Sequence, residues 1–223
     1  MIYFSKKVTL LLALIFLLSI NYTYSQQTKE SQSKIDPDKA FQMLKDGNKR
    51  FTDGKMLHKH YMEQVKETAE GQFPFAVILS CMDSRVPPEI IFDQGIGNIF
   101  VTRVAGNIED ADILGSMEYA VSVKHVELIL VMGHQNCGAV KGSIDNVKLG
   151  NLTQLLEHIR PAIKGDTAYK VQMLEETTRN NVKLTMTHIL EKSEVIRQMV
   201  QDKKVKIVGA FYHLGTGEVD FTE

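Results

Sequence analysis

Two cysteines, one histidine and one acid–base pair carry most of the chemistry this sequence can offer. Cys81 closes an apolar run. His134 and Cys137 stand behind a second apolar run, with Gly133 giving the chain room to turn. Two thiols and an imidazole suit Zn2+, and three protein ligands leave a fourth position open for water. The same residues have plainer readings. A cysteine at the end of a strand is often a small core hydrophobe. Cys81 and Cys137 could also form a disulfide, were the protein exported. Asp83 and Arg85 follow Cys81 closely. A carboxylate there could ligate a metal or accept a hydrogen bond from a metal-bound hydroxide, and a guanidinium could grip it with a fork of donors. The alternative is a plain surface ion pair.

These residues need elements to bring them together. Residues 75–80 form a continuous apolar run, which predicts a strand buried on both faces. Runs at 98–103, 126–132 and 205–212 predict three more, with helical patterns at 111–123 and along 152–201. Strands alternating with helices imply an α/β fold: a mostly parallel central sheet flanked by helices. In such sheets ligands bind at the carboxyl ends of strands, where Cys81, His134 and Cys137 fall. Asp36-Pro37 opens an N-terminal helical arm, with Asp36 as cap and Pro37 at the first helical position. Phe41, Leu44 and Phe51 recur on its apolar face, and a second helical stretch spans 60–70. Residues 213–217 predict a turn into a short last strand.

The N-terminus reads differently. Lys6 and Lys7 precede an apolar run from Val8 to Ile20, followed by small residues at Thr23 and Ser25. That is the pattern of a secretory signal peptide over residues 1–25, too short for a comfortable membrane span. Residues 26–35 are polar and predict a flexible linker, and residues 36–223 one catalytic domain. The expected location is therefore periplasmic or secreted, without stable membrane insertion after cleavage. The formal net charge of −1 argues against a nucleic-acid partner.

Cys81-Met82-Asp83-Ser84-Arg85-Val86-Pro87 and His134-Gln135-Asn136-Cys137-Gly138 resemble the paired signatures of the β-class carbonic anhydrases. The segment from Phe100 to Asn107 is similar to the one that follows the second strand in that family. The resemblance runs from Asp36 to the C-terminus. It implies one Zn2+ per subunit on Cys81, His134 and Cys137, with Asp83 and Arg85 as the catalytic dyad. The implied reaction is reversible hydration of carbon dioxide to bicarbonate and a proton, a zinc-bound hydroxide attacking carbon dioxide oriented by the dyad. It also implies a homodimer, often doubled to a tetramer, with the cleft at the subunit interface. Gln72, Phe100, Tyr119 and Gly138 match substrate-pocket positions of the plant-like branch. Where some bacterial members carry a Trp at a non-catalytic bicarbonate site, this chain has Ile78 and no Trp. Arg103 and Tyr212 do resemble that site's other partners. The departure implies an open metal with water as fourth ligand. His58, His60 and His125 are candidates for proton transfer. The motif leaves related hydrolysis of carbon disulfide or carbonyl sulfide open, since a scaffold does not fix its substrate.

Overall fold

The computed structural model describes residues 27–57, 60–164 and 170–222. Strands β1 (Ala76–Ser80), β2 (Ile99–Arg103), β3 (Leu128–His134), β4 (Lys206–Tyr212) and β5 (Val219–Thr222) form one sheet in the order β2-β1-β3-β4-β5. The first four run parallel, and β5 turns back antiparallel on β4. Every residue of β1 and β3 is buried, as their unbroken apolar runs require.

Alternation along those strands feeds two cores. Ile78, Leu128, Leu130 and Met132 face α2 (Pro37–Thr52), where Ala40, Phe41 and Leu44 are buried against them. Val77, Leu79, Ile129 and Val131 face the other side. There they meet α5 (Ala111–Ser122), α8 (Lys170–Lys192) and α9 (Glu194–Gln201). Each fully buried Leu, Ile or Val contributes ~1.5–3 kcal/mol of burial free energy, which fixes strand register and hence the height of each strand end. The Asp36 side chain accepts from Lys39 N, capping α2 as its position before Pro37 predicts. Asn48, buried within α2, donates to Ile91 O and Gly217 O and accepts from Val219 N. It thereby ties the helix to the last strand.

Two expectations change. Residues 26–35 are not a loose linker from Gln27 onward. Lys29–Gln32 forms a short helix, α1, with a reciprocal cap between Thr28 and Ser31. Gln32 is buried and donates to Pro74 O and Lys124 O, so a side chain with two distant backbone acceptors anchors a segment that composition alone makes polar. The stretch 60–70 yields only α3, Tyr61–Glu67. The helical region before β4 divides into α7 (Gly150–Ile159), a single turn at Arg160–Ala162, then α8 and α9, with Ser193 capping α9. Residues 1–25, and with them the expected signal peptide, lie outside the described residues, as does His58.

Candidate metal centre

Cys81 follows β1 directly, and His134 is the last residue of β3, the neighbouring strand. Asn136 adopts a left-handed conformation (φ 55°) that turns the chain into α6 (Gly138–Ile144), with Cys137 at its N-cap. Register and turn together place one ligand atom each from Cys81, His134 and Cys137 within 4.8 Å of one another. The cysteines are free thiols with sulfurs 4.0 Å apart. A third apolar cluster of Ile108, Val140, Leu156 and Ile159 encloses them.

The histidine is set up as a ligand. Its Nδ1 lies 2.9 Å from Gln135 O, and a carbonyl can only accept, so the proton sits on Nδ1. Nε2 is then a bare lone pair. It is fully buried and has no hydrogen-bond partner among the described residues. An orphaned buried acceptor facing two thiols is costly unless something electropositive fills the gap. The two sulfurs lie within hydrogen-bond reach of each other. The contact with Cys137 first, then the backbone N–H groups of Gly106 and Asp83, hold Cys81 below the usual thiol range against the opposing effect of burial. Cys137 is pushed up by its bond to Cys81 and by burial.

Asp83 and Arg85 sit on the turn that leaves Cys81. Arg85 Nε and backbone N both donate to Asp83 Oδ1 at 2.9 Å, and Nη2 donates to Oδ2 at 2.7 Å. These bonds hold the Asp83 carboxyl well below the usual carboxylate range. Oδ2 lies 3.9 Å from His134 Nε2, so the fixed carboxylate faces the ligand cluster. The turn is braced from β2: Arg103 Nε donates to Cys81 O at 3.1 Å and its Nη2 to Asp83 O. Ile78 is fully buried in β1 and Tyr212 nearly so. Arg103 thus grips the turn from Cys81 to Asp83.

The chain matches the family model described as carbonic anhydrase over residues 76–219, a span that contains all three ligand positions and the dyad. A carbonic anhydrase from Mycolicibacterium smegmatis is 38% identical over 191 residues, covering 83% of this chain and 93% of the relative. The chain belongs to the β-carbonic anhydrase family. The β-carbonic anhydrase CafA of Aspergillus fumigatus superposes with a TM-score of 0.66 at 25% identity, over 73% of this chain and 81% of that one. The fold is shared with the tetrameric β-carbonic anhydrases of Sordaria macrospora at a TM-score of 0.65 and 23% identity, over 79% and 90% of the chains. The relatives bear the name of a carbonate dehydratase, a lyase, and this chain is an enzyme of that class.

The four pocket positions distribute unevenly. Gly138 follows Cys137, and the space where a Cβ would stand is open. Phe100 and Tyr119 come together, ring centroids 6.4 Å apart, in a cavity of about 510 Å3 along β2 and α5. None of the three ligands lines that cavity. Gln72 is exposed on the segment entering β1, at the opposite end of the strand from Cys81. Within one subunit these three do not meet the ligands. His60 and His125 are exposed. What the sequence did not reveal is the bracing: Gln135 O, Arg103 as a grip, and Gly106 N, which donates to Cys81 Sγ at 3.4 Å. Gly106 carried a signal, a glycine just past a strand, where backbone must come close to something.

Proposed function

We propose that this enzyme hydrates carbon dioxide reversibly with one Zn2+ held by Cys81, His134 and Cys137. The observation that carries this reading is the buried, unpartnered Nε2 of His134 aimed at two thiols. Bonds of ~2.3 Å to a tetrahedral Zn2+ put two thiolate sulfurs ~3.8 Å apart, close to the 4.0 Å found here. Zn2+ in that position would acidify a water and supply a nucleophile near neutral pH.

The chain's own residues do the rest. Asp83 Oδ2 accepts a hydrogen bond from the nucleophile and turns its lone pair toward carbon dioxide. Arg85 keeps the carboxylate ionised and, by occupying Oδ1 twice and Oδ2 once, restrains it from swinging onto the metal. Arg103 holds the turn's carbonyls so that Cys81 and Asp83 move as a unit. With Cys81 and Cys137 bound as thiolates, the formal charge of a Zn2+ there would be cancelled and its water less acidified, so activity should rise toward alkaline pH. Gln72 donates to the developing bicarbonate from the neighbouring subunit of a homodimer, or of the tetramer that doubles it, and Phe100 and Tyr119, which do not meet the ligands within one subunit, line the pocket only in that assembly. Residues 1–25 direct the chain out of the cytoplasm, on the strength of Lys6, Lys7 and the apolar run after them.

The test is metal analysis of the purified mature chain with stopped-flow hydration of carbon dioxide. One zinc per subunit, with activity lost on chelation and both lost in His134→Ala, supports the reading. Undiminished hydration by the metal-free chain overturns it.

A further inference from the structure

Asn181 occupies the middle of α8 and is completely buried. An amide on the buried face of a helix is disfavoured twice. It must lose its water, and it fills space that an apolar side chain would pack better. Its Oδ1 has no partner among the described residues. Its Nδ2, however, donates to Gly106 O at 2.7 Å, across a long stretch of sequence. What the position retains is the donor.

Gly106 is where that donor matters. It sits in a tight turn, Ala105–Asn107, in the left-handed region (φ 73°, ψ 17°). A glycine permits this conformation without enforcing it, because both signs of φ are open to it. On one side of Gly106 its N–H points at Cys81 Sγ; on the other its carbonyl is held by Asn181. Asn107 N donates to Val104 O and closes the turn. A side chain here would be strained by the positive φ, and its Cβ, 2.5 Å from Ile159 Cδ1 and 3.3 Å from Ala139 Cβ, would force Ile159 to shift. The helix bearing Asn181 is itself set against the other strand's ligand. A Cβ on Gly133, the neighbour of His134, would meet Thr178 and Val182 of α8 at 2.9 Å. Three residues beyond Gly106, buried Glu109 is gripped by Lys192 Nζ at 2.6 Å and His188 Nδ1 at 2.9 Å, also from α8.

We propose that Asn181 is a positioning residue for the metal centre: it holds the Gly106 carbonyl, keeps the Gly106 N–H aimed at Cys81 Sγ, and so sets that sulfur's strength as a ligand. An N–H donated to a thiolate withdraws electron density from it, and outer partners of this kind govern how tightly a site holds its metal. The inference rests on the metal reading above.

Co2+ is the probe. The wild-type chain loaded with Co2+ should show a thiolate-to-cobalt charge-transfer band. In Asn181→Leu, which removes the donor, the band should move to lower energy as the sulfur regains electron density, and Co2+ affinity measured against a competing chelator should fall about 10–100-fold because the Gly106 turn no longer holds Cys81 Sγ in place. Asn181→Ala carries the same expectation with less demand on packing. Thr185→Val, buried one turn along α8, should leave both readings unchanged. On the unaltered chain, loading with an NMR-active cadmium isotope should show scalar coupling between the metal and the Gly106 amide proton. Wild-type band and affinity in a folded Asn181 variant, or no coupling to Gly106, overturns the proposal alone. No charge-transfer band in the wild type overturns the metal reading and this inference with it.

Discussion

Replacing Asp83 by Asn changes one oxygen into an NH2 group at nearly constant volume. The amide can be seated in only one tolerable way. Its oxygen must take the Oδ1 position, where Arg85 N and Nε both donate, because the reverse sets NH2 against two donors. The NH2 group then occupies the Oδ2 position, facing Arg85 Nη2, which now lies 2.7 Å from an acceptor. That charge-assisted bond is lost, and with it the acceptor turned toward the ligand cluster. A hydrogen bond to a charged group is worth ~1.5–3 kcal/mol, so losing the acceptor in the transition state lowers kcat/KM by about 10–150-fold. The zinc content should not change, since no ligand is touched. The assay is stopped-flow carbon dioxide hydration with a pH indicator, with metal analysis of the same sample. A fully zinc-loaded Asp83→Asn enzyme within about threefold of wild-type kcat/KM, less than ~0.7 kcal/mol, would refute the assignment of Asp83 as acceptor.

Other consequences are as direct. Asp83 is held below its ordinary range chiefly by Arg85, so the stability it contributes is present above the unfolded carboxylate value of ~3.9 and is lost as pH falls further. Arg85→Ala should therefore be less stable than wild type at neutral pH, by a margin that shrinks as pH falls below ~4, read by melting curves on acidification, as well as losing hydration activity. Glu127 runs the other way: burial raises its carboxyl to about 7, so the folded state holds its proton longer and stability falls as pH rises from ~4.3 toward 7. Glu127→Gln should raise the melting temperature more at pH 8 than at pH 4; an equal gain at both would contradict this. The Cys81 and Cys137 sulfurs, 4.0 Å apart, should be lost together when the chelated chain meets a mild oxidant, and zinc should protect them. Thiol counting under denaturing conditions checks it, and two surviving thiols in the oxidised apo-protein would count against a shared site. The mature chain should begin near Gln26, and an intact Met1 to Ser25 segment in the purified protein by mass spectrometry would reverse that expectation.

The parts of this molecule that were legible in the sequence are those whose signal is local. The apolar run at 75–80 becomes a fully buried strand because nothing but burial on both faces suits it. Asp36-Pro37 starts a helix because cap and fixed φ act within one turn. Cys81, His134 and Cys137 stand out because few other residue types bind soft metals. The rest depends on partners far apart in sequence. Gln32 looks like linker until Pro74 O and Lys124 O are beside it. Arg103 resembles a bicarbonate ligand until its guanidinium is found on the carbonyls of Cys81 and Asp83. Asn181 is one polar residue in a helix with several, and only Gly106 O distinguishes it. Phe100 and Tyr119 find each other along β2 and α5, yet their relation to the ligands is a matter of assembly, which periodicity within one chain does not encode.

The pairing of β3 with β4 also dictates an order of events in the life of the molecule. His134 ends β3 opposite Tyr212, and Gln135 N donates to Tyr212 O, so the residue whose carbonyl orients the imidazole is itself held by β4. All three ligands leave the ribosome long before Lys206 begins that strand. Until it docks, β3 lacks a neighbour on one side and the imidazole lacks its fixed frame. A ladder between strands so distant in sequence closes late, after the intervening loop entropy is overcome. The three candidate ligands therefore stay an unassembled set until β4 has docked, and a metal that needs all three in place would bind only after that step.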